Sequence, residues 1–115
     1  VQIVSNIDDE QLDGLVRRLG LEPAIDAWTS SEAAHSCKPD AGIYRCALQK
    51  AACEPADVLF VGDSPAHDID GPAALGMSTA LLVTDARPGA PDTGADFVIE
   101  RLGQVVEIVE QALVG

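Results

Sequence analysis

Aromatic side chains are scarce: Trp28, Tyr44, Phe60 and Phe97 make up only 3% of the 115 residues. Ala, Val, Leu and Ile must therefore build any core. Basic residues are also few, with 7 Lys and Arg against 19 Asp and Glu and a formal net charge of -12. That imbalance repels a nucleic-acid backbone and an anionic membrane alike, so neither is expected as a partner. A site that handles phosphate would need a cation to offset the same repulsion. No apolar run approaches the length of a membrane span and no signal peptide is visible, so the expectation is a soluble, cytoplasmic protein. Cys37, Cys46 and Cys53 are odd in number and lack C-x-x-C spacing, which suggests neither a zinc site nor a disulfide framework. They read as buried small hydrophobes in a reducing compartment. No Met opens the chain, which starts at Val1 inside an apolar, strand-like run. The expectation is a piece of a longer protein.

What is present alternates strand and helix. Residues 1–4 read as a strand ending at Ser5-Asn6. Asp8 then caps a helix with Gln11 as its capping-box partner. Leu12, Leu15, Val16 and Leu19 form its apolar stripe, and Gly20 closes it. Residues 27–30 are a short strand candidate, and a polar stretch over 31–37 leads to Lys38-Pro39-Asp40. Pro39 suits the first turn of a helix, where its missing N–H costs nothing. That helix would bury Ile43, Tyr44, Ala47, Leu48 and Ala51. Residues 58–61 predict a strand buried on both faces, followed by a short helix over 68–75 and another strand over 78–83. The segment 87–94 is rich in Pro and Gly and reads as loop. A strand over 96–99 and a last helix, with Leu102, Val105, Val106, Val109, Ala112 and Leu113 inward, complete the chain. At this length one domain, residues 1–115, with a doubly wound parallel α/β sheet is expected.

Polar residues recur where strands end, at Ser5-Asn6, Thr29-Ser30, Asp63-Ser64 and Thr84-Asp85. Ligands bind beyond the carboxyl ends of strands in such sheets. Asp63 follows Gly62 directly, and Asp68 comes five residues later. A carboxylate there can hold a hard cation such as Mg2+ through oxygen, or it can cap the next helix. With Ser5 as a hydroxyl donor and Lys38 as an ammonium, the set suits a phosphoryl group. His35 and His67 have no spaced partner and read as surface residues. Asp8-Asp9 reads as capping, and Asp68-Ile69-Asp70 imitates a D-x-D motif without a strand running into it.

These residues resemble the haloacid dehalogenase (HAD) superfamily of hydrolases, most of which are magnesium-dependent phosphatases. Val4-Ser5-Asn6 looks like the second motif of that family, Lys38 in Cys37-Lys38-Pro39-Asp40 like the third, and Phe60-Val61-Gly62-Asp63-Ser64 with Asp68 and Gly71 like the fourth. Gly76-Met77 continues the pattern. The resemblance implies a Rossmann-like, HAD-type core. It implies that Ser5 holds the transferring phosphoryl group and that Asn6 adds a polar contact beside it. Lys38 would stabilise the phosphate and an attacking aspartate. Asp63 would bind Mg2+ directly, with Asp68 orienting the metal or its waters. The G-D-S form of the fourth motif favours a phosphatase over a dehalogenase proper, which works without metal. Pro72 departs from the small residue usual after Gly71 and would kink a helix already running at Asp68.

The first motif of the family, a strand ending in D-x-D-x-[TV] that supplies the nucleophilic aspartate, belongs upstream of Ser5. The 115 residues contain no counterpart there, nor the cap that selects the substrate. The resemblance thus implies a catalytic-core portion that is inactive alone, acting in its parent on a small phosphorylated metabolite. It also implies a slot in the sheet between the strands at 1–4 and 58–61. An upstream segment, a second copy in a homodimer by strand exchange, or direct pairing of the two strands would fill it. Two other readings remain: a receiver-type signalling domain and a non-catalytic binding remnant of the fold. A lysine that precedes Asp63 in sequence argues against the receiver.

Overall fold

The computed structural model describes residues 1–84 and 94–114. The chain forms two compact units, Val1–Pro55 and Ala56–Gly115. Every strand pairing among the described residues is parallel. In the first unit β1 (Gln2–Ser5) pairs with β2 (Ala27–Ser30), and Ser5 stands opposite Ser30. In the second, β3 (Leu59–Gly62), β4 (Ser78–Leu82) and β5 (Phe97–Ile99) form a sheet in that order. Among the described residues β1 is paired only with β2 and β3 only with β4. β3 was expected to be buried on both faces, yet all four of its residues are half-buried. A strand at the end of its sheet lacks the second neighbour that would cover it.

Helix α1 (Asp9–Arg18) starts and stops where its sequence dictates. The Asp8 carboxylate accepts from Gln11 N–H at 2.8 Å. Gly20, at φ 66°, lets Leu21 N–H reach Val16 C=O and Gly20 N–H reach Arg17 C=O, which satisfies carbonyls that the helix end would strand. Its apolar stripe is narrower than predicted: Leu12 and Val16 are buried, whereas Leu15 and Leu19 are exposed. The polar stretch after β2 contains a helical turn, α2 (Ser31–Ala34), because the Ser30 hydroxyl caps it by accepting from Ala33 N–H at 3.0 Å.

Helix α3 (Ala41–Ala51) packs on β1 and β2 and buries Ile43, Tyr44 and Ala47, with Leu48 half-buried and Ala51 exposed. It begins later than predicted. Asp40 is its N-cap, so Pro39 lies before the helix rather than in its first turn. Beneath α3 a part-buried chain of hydrogen bonds runs from Thr29 Oγ1 to Gln2 Oε1 at 2.6 Å and from Gln2 Nε2 to Ala47 C=O at 3.0 Å. No buried side-chain polar atom among the described residues lacks a partner.

After β3 the chain enters a π-helical segment, Pro65–Asp70, that continues into α4 (Gly71–Ala74). Pro72 stands in the first turn of α4, where its missing N–H costs nothing. Ile69, Pro72, Met77, Ala80, Leu81 and Ile99 are buried in this unit. Thr79 and Asp96 tie β4 to the start of β5, with Asp96 Oδ2 accepting from Thr79 N–H at 2.9 Å. Helix α5 (Gln104–Val114) departs from expectation, since Leu102, Val106 and Val109 are exposed and Val105 is half-buried. The side chains of Ala112 and Leu113, together with Asp85 and most of the proline-rich loop, lie outside the described residues. No described helix is long and apolar enough to cross a membrane. The cysteines correct another expectation: Cys37 and Cys53 are exposed and Cys46 is half-buried, so only Cys46 resembles a packed hydrophobe.

Candidate active site

Ser5, Asn6 and Lys38 belong to the first unit. Ser5 ends β1, half-buried, at the carboxyl end of a parallel strand. Among the described residues its hydroxyl makes no hydrogen bond, so it is available to a ligand. Asn6 follows and turns its amide onto the Lys38 backbone. Its Oδ1 accepts from Lys38 N–H at 2.7 Å, and its Nδ2 donates to Lys38 C=O at 3.2 Å. Lys38 itself is half-buried and precedes Pro39 through a cis peptide bond. The turn Cys37-Lys38-Pro39-Asp40 is closed by Asp40 N–H donating to Cys37 C=O at 2.8 Å. The end of β1 and the turn that carries Lys38 are thus joined directly.

Beside them lies an open depression of about 480 Å³, lined in part by Ile7, Asp8, Glu32, His35, Cys37 and Asp40. Its carboxylates repel an anion, so it does not suit a phosphoryl group. Two of them are already occupied in capping α1: Asp8 as described, and Glu32 by accepting from Asp9 N–H at 3.2 Å.

Asp63 and Asp68 belong to the second unit, and the structure separates their environments. Asp63 is exposed, one residue beyond the end of β3. Asp68 is only 5% exposed. Its Oδ2 accepts from Ser64 N–H at 3.0 Å, so it braces the turn that carries Asp63. The brace also explains Gly62, which sequence reasoning treated only as a strand end. A Cβ built there collides with the Asp68 carboxylate. A glycine between an apolar strand and an acid was the available signal, since glycine marks close approach of other atoms to the backbone. Asp68 sits in the π-helical segment, not at a strand end, which disposes of the imitation D-x-D motif.

Mg2+ is held in protein sites by one or two carboxylates and keeps substrate oxygens and waters for the rest of its octahedron. Two carboxylates, Asp63 exposed and Asp68 buried and held by Ser64 N–H, fit that demand in number and kind. Among the described residues no group of three or more His, Cys, Asp or Glu is placed to hold a metal ion.

A family model described as HAD-hydrolase-like matches residues 36–105. Haloacid dehalogenase-like hydrolase domain-containing protein 3 of Mus musculus is 42% identical over 80 residues, covering 70% of this chain and 32% of that protein. (S)-2-haloacid dehalogenase 1 of Pseudomonas sp. (strain CBS-3) is 36% identical, covering 70% of this chain and 35% of the dehalogenase. Glyceraldehyde 3-phosphate phosphatase of Methanocaldococcus jannaschii is 28% identical, covering 94% of this chain and 47% of the phosphatase. The crystal structure of a HAD phosphatase from Thermococcus onnurineus superposes with a TM-score of 0.84 at 23% identity, over 94% of this chain and 49% of that one. The chain therefore spans between about a third and half of these relatives. The parallel strands, the match over residues 36–105 and the shared fold place this chain in the HAD-like hydrolase family, with that family's Rossmann-like α/β core.

Proposed function

We propose that residues 1–115 are the catalytic-core portion of a Mg2+-dependent phosphomonoester phosphatase acting on a small phosphorylated metabolite in the cytoplasm. The observation that carries this reading is the pairing of acids after β3, with Asp63 exposed and Asp68 buried and braced on Ser64 N–H. A 2-haloacid substrate offers no phosphate oxygens for a metal to bridge, whereas a phosphomonoester does. The phosphatase among the relatives supports the same choice.

Ser5 donates its hydroxyl to a phosphoryl oxygen, and Lys38 supplies a positive charge against the phosphate. Asn6 stands beside both. Asp63 and Asp68 would hold Mg2+, Asp63 by direct contact and Asp68 by fixing the turn and orienting metal or water. The bound ion would neutralise phosphate charge as it builds up. The nucleophile is an aspartate outside these residues: its carboxylate oxygen bonds to phosphorus as the ester P–O bond breaks, and water then hydrolyses the aspartyl-phosphate. This chain contributes electrostatics and positioning to that reaction.

The test is binding of inorganic phosphate to the 115-residue chain with and without Mg2+, beside an assay of p-nitrophenyl phosphate hydrolysis. Phosphate binding that requires Mg2+ and is lost in Asp63→Asn, without turnover, is the expected result. Absence of phosphate binding under any Mg2+ concentration overturns the reading, and turnover by the chain alone overturns the external nucleophile. A second reading, halide displacement from a 2-haloacid, is favoured by the dehalogenase at 36% identity. It predicts binding of 2-chloropropionate that Mg2+ does not alter.

A further inference from the structure

Asn6 and Lys38 are 32 residues apart in sequence, and the Asn6 amide presents both of its polar atoms to the Lys38 backbone. A primary amide places a donor and an acceptor side by side, as a peptide group does, so one side chain can satisfy both the N–H and the C=O of one residue. Asp has only acceptors when ionised, and Ser or Thr has a single oxygen. The turn that contains Lys38 is closed as well, by Asp40 N–H on Cys37 C=O at 2.8 Å. Backbone on both sides of the Lys38 Cα is thereby fixed. A lysine ammonium is a point charge on a long, rotatable stem, and where it can reach depends on where that stem is rooted.

We infer that Asn6 is a positioning residue that serves phosphoryl binding through Lys38 and not by touching the phosphoryl group. The inference rests on the reading of Lys38 as a phosphate ligand. It assigns Asn6 a different role from the direct polar contact that the family resemblance implies. With Oδ1 and Nδ2 both engaged, a phosphoryl oxygen could be offered only the second N–H of Nδ2. The clamp also joins the end of β1, where Ser5 stands, to the root of Lys38, so the hydroxyl and the ammonium are held to one frame.

The experiment is a double-mutant cycle on the 115-residue chain, with Asn6→Ala, Lys38→Met and the pair. Two quantities are read: hydrogen exchange of the Lys38 amide and affinity for inorganic phosphate in the presence of Mg2+. In Asn6→Ala the Lys38 amide should exchange about tenfold faster or more, as expected for loss of one to two net hydrogen bonds. Phosphate affinity should fall by about fivefold to thirtyfold where Lys38 is present, and not further where Lys38 is already Met. Asn6→Asp keeps the acceptor for Lys38 N–H, which also covers a failure of Asn6→Ala to fold. In this variant the Lys38 amide should stay protected, because the acceptor of its N–H is kept.

An equal loss in both Lys38 backgrounds makes Asn6 a direct ligand and overturns the inference. Unchanged Lys38 exchange in Asn6→Ala overturns it too. If the wild-type chain binds no phosphate, the phosphatase reading falls by itself. Exchange then decides the clamp alone: faster in Asn6→Ala upholds it, equal rates remove it.

Discussion

Asp68 folds its carboxylate back over the Cα of Gly62, six residues earlier, in space that a side chain at residue 62 would occupy. Gly62→Ala must therefore displace Asp68 and break its bond to Ser64 N–H, leaving a part-buried donor unpaired. We expect a loss of about 1–3 kcal/mol of stability by urea unfolding. Wild-type stability in Gly62→Ala would mean that the two residues are not in contact.

The chain leaves several helices through a residue in the left-handed region, and after α2 and α3 that residue is not glycine. Gly20 follows α1 in the left-handed region, whereas Ala52 adopts φ 54° and ψ 41° after α3. His35 does the same after the short α2. An L-residue in that conformation costs about 1 kcal/mol relative to glycine. Ala52 is exposed, so its methyl group contributes little packing in return. Ala52→Gly should stabilise the chain by about 0.5–1 kcal/mol and raise the Tm by several degrees. A lowered Tm would show that the unfolded-state entropy of glycine outweighs the relieved strain.

What could be read from the residues in advance follows the range of the interactions involved. β2, the Asp8 cap and the Gly20 stop are set by neighbours within a few positions, and the structure has them where the sequence placed them. Parallel pairing followed from alternation of strand and helix. Burial was less legible. Periodicity marks which residues can face a core, but the width of a helix stripe depends on how many partners cover it, and so Leu15, Leu19, Val106 and Val109 are exposed. The same limit applies to β3, half-buried at the end of its sheet. Pro39 was misplaced because a favourable first-turn residue also suits the turn before a helix. Ser5 at the end of β1 and Asp63 just after β3 could be picked out by position along the chain, yet the Asn6–Lys38 clamp joins side chain to backbone across 32 positions, and no local pattern encodes it.

Asp26 offers a test by titration. In the 115-residue chain taken by itself, with a free amine at Val1, that ammonium lies 2.6 Å from Asp26 Oδ2, and this hydrogen bond, with the accompanying charge attraction, holds the carboxyl below its ordinary value. A folded-state pKa that is lowered contributes stability above the unfolded value of about 3.9, and that contribution is lost as pH falls through the folded value. Both groups are highly exposed, so salt screens the pair and the effect on unfolding is small. Acetylating the Val1 amine should return Asp26 to the ordinary carboxylate range in an NMR titration, and 1 M salt should move the unmodified chain the same way. A titration insensitive to acetylation would assign the shift to another cause.

The two acids after β3 should separate under mutation, because one faces solvent and the other supports the turn. Asp63→Ala removes an exposed carboxylate with no hydrogen bond among the described residues, so unfolding should change by no more than about 0.5 kcal/mol. Mg2+ affinity, followed by calorimetry, should fall at least about tenfold, since a hard cation loses its charged oxygen ligand. Asp68→Ala deletes a buried group and strands Ser64 N–H, so it should cost about 1–3 kcal/mol. Asp68→Asn keeps an oxygen for Ser64 N–H and should recover most of that stability, yet it lacks the negative charge. If Asp68 only braces the turn, Asp68→Asn binds Mg2+ as the wild type does. If Asp68 also orients the metal or its waters through its charge, affinity stays low in a chain that folds normally. Loss of stability in Asp63→Ala, with Mg2+ affinity intact, would reverse the assignment of the two carboxylates.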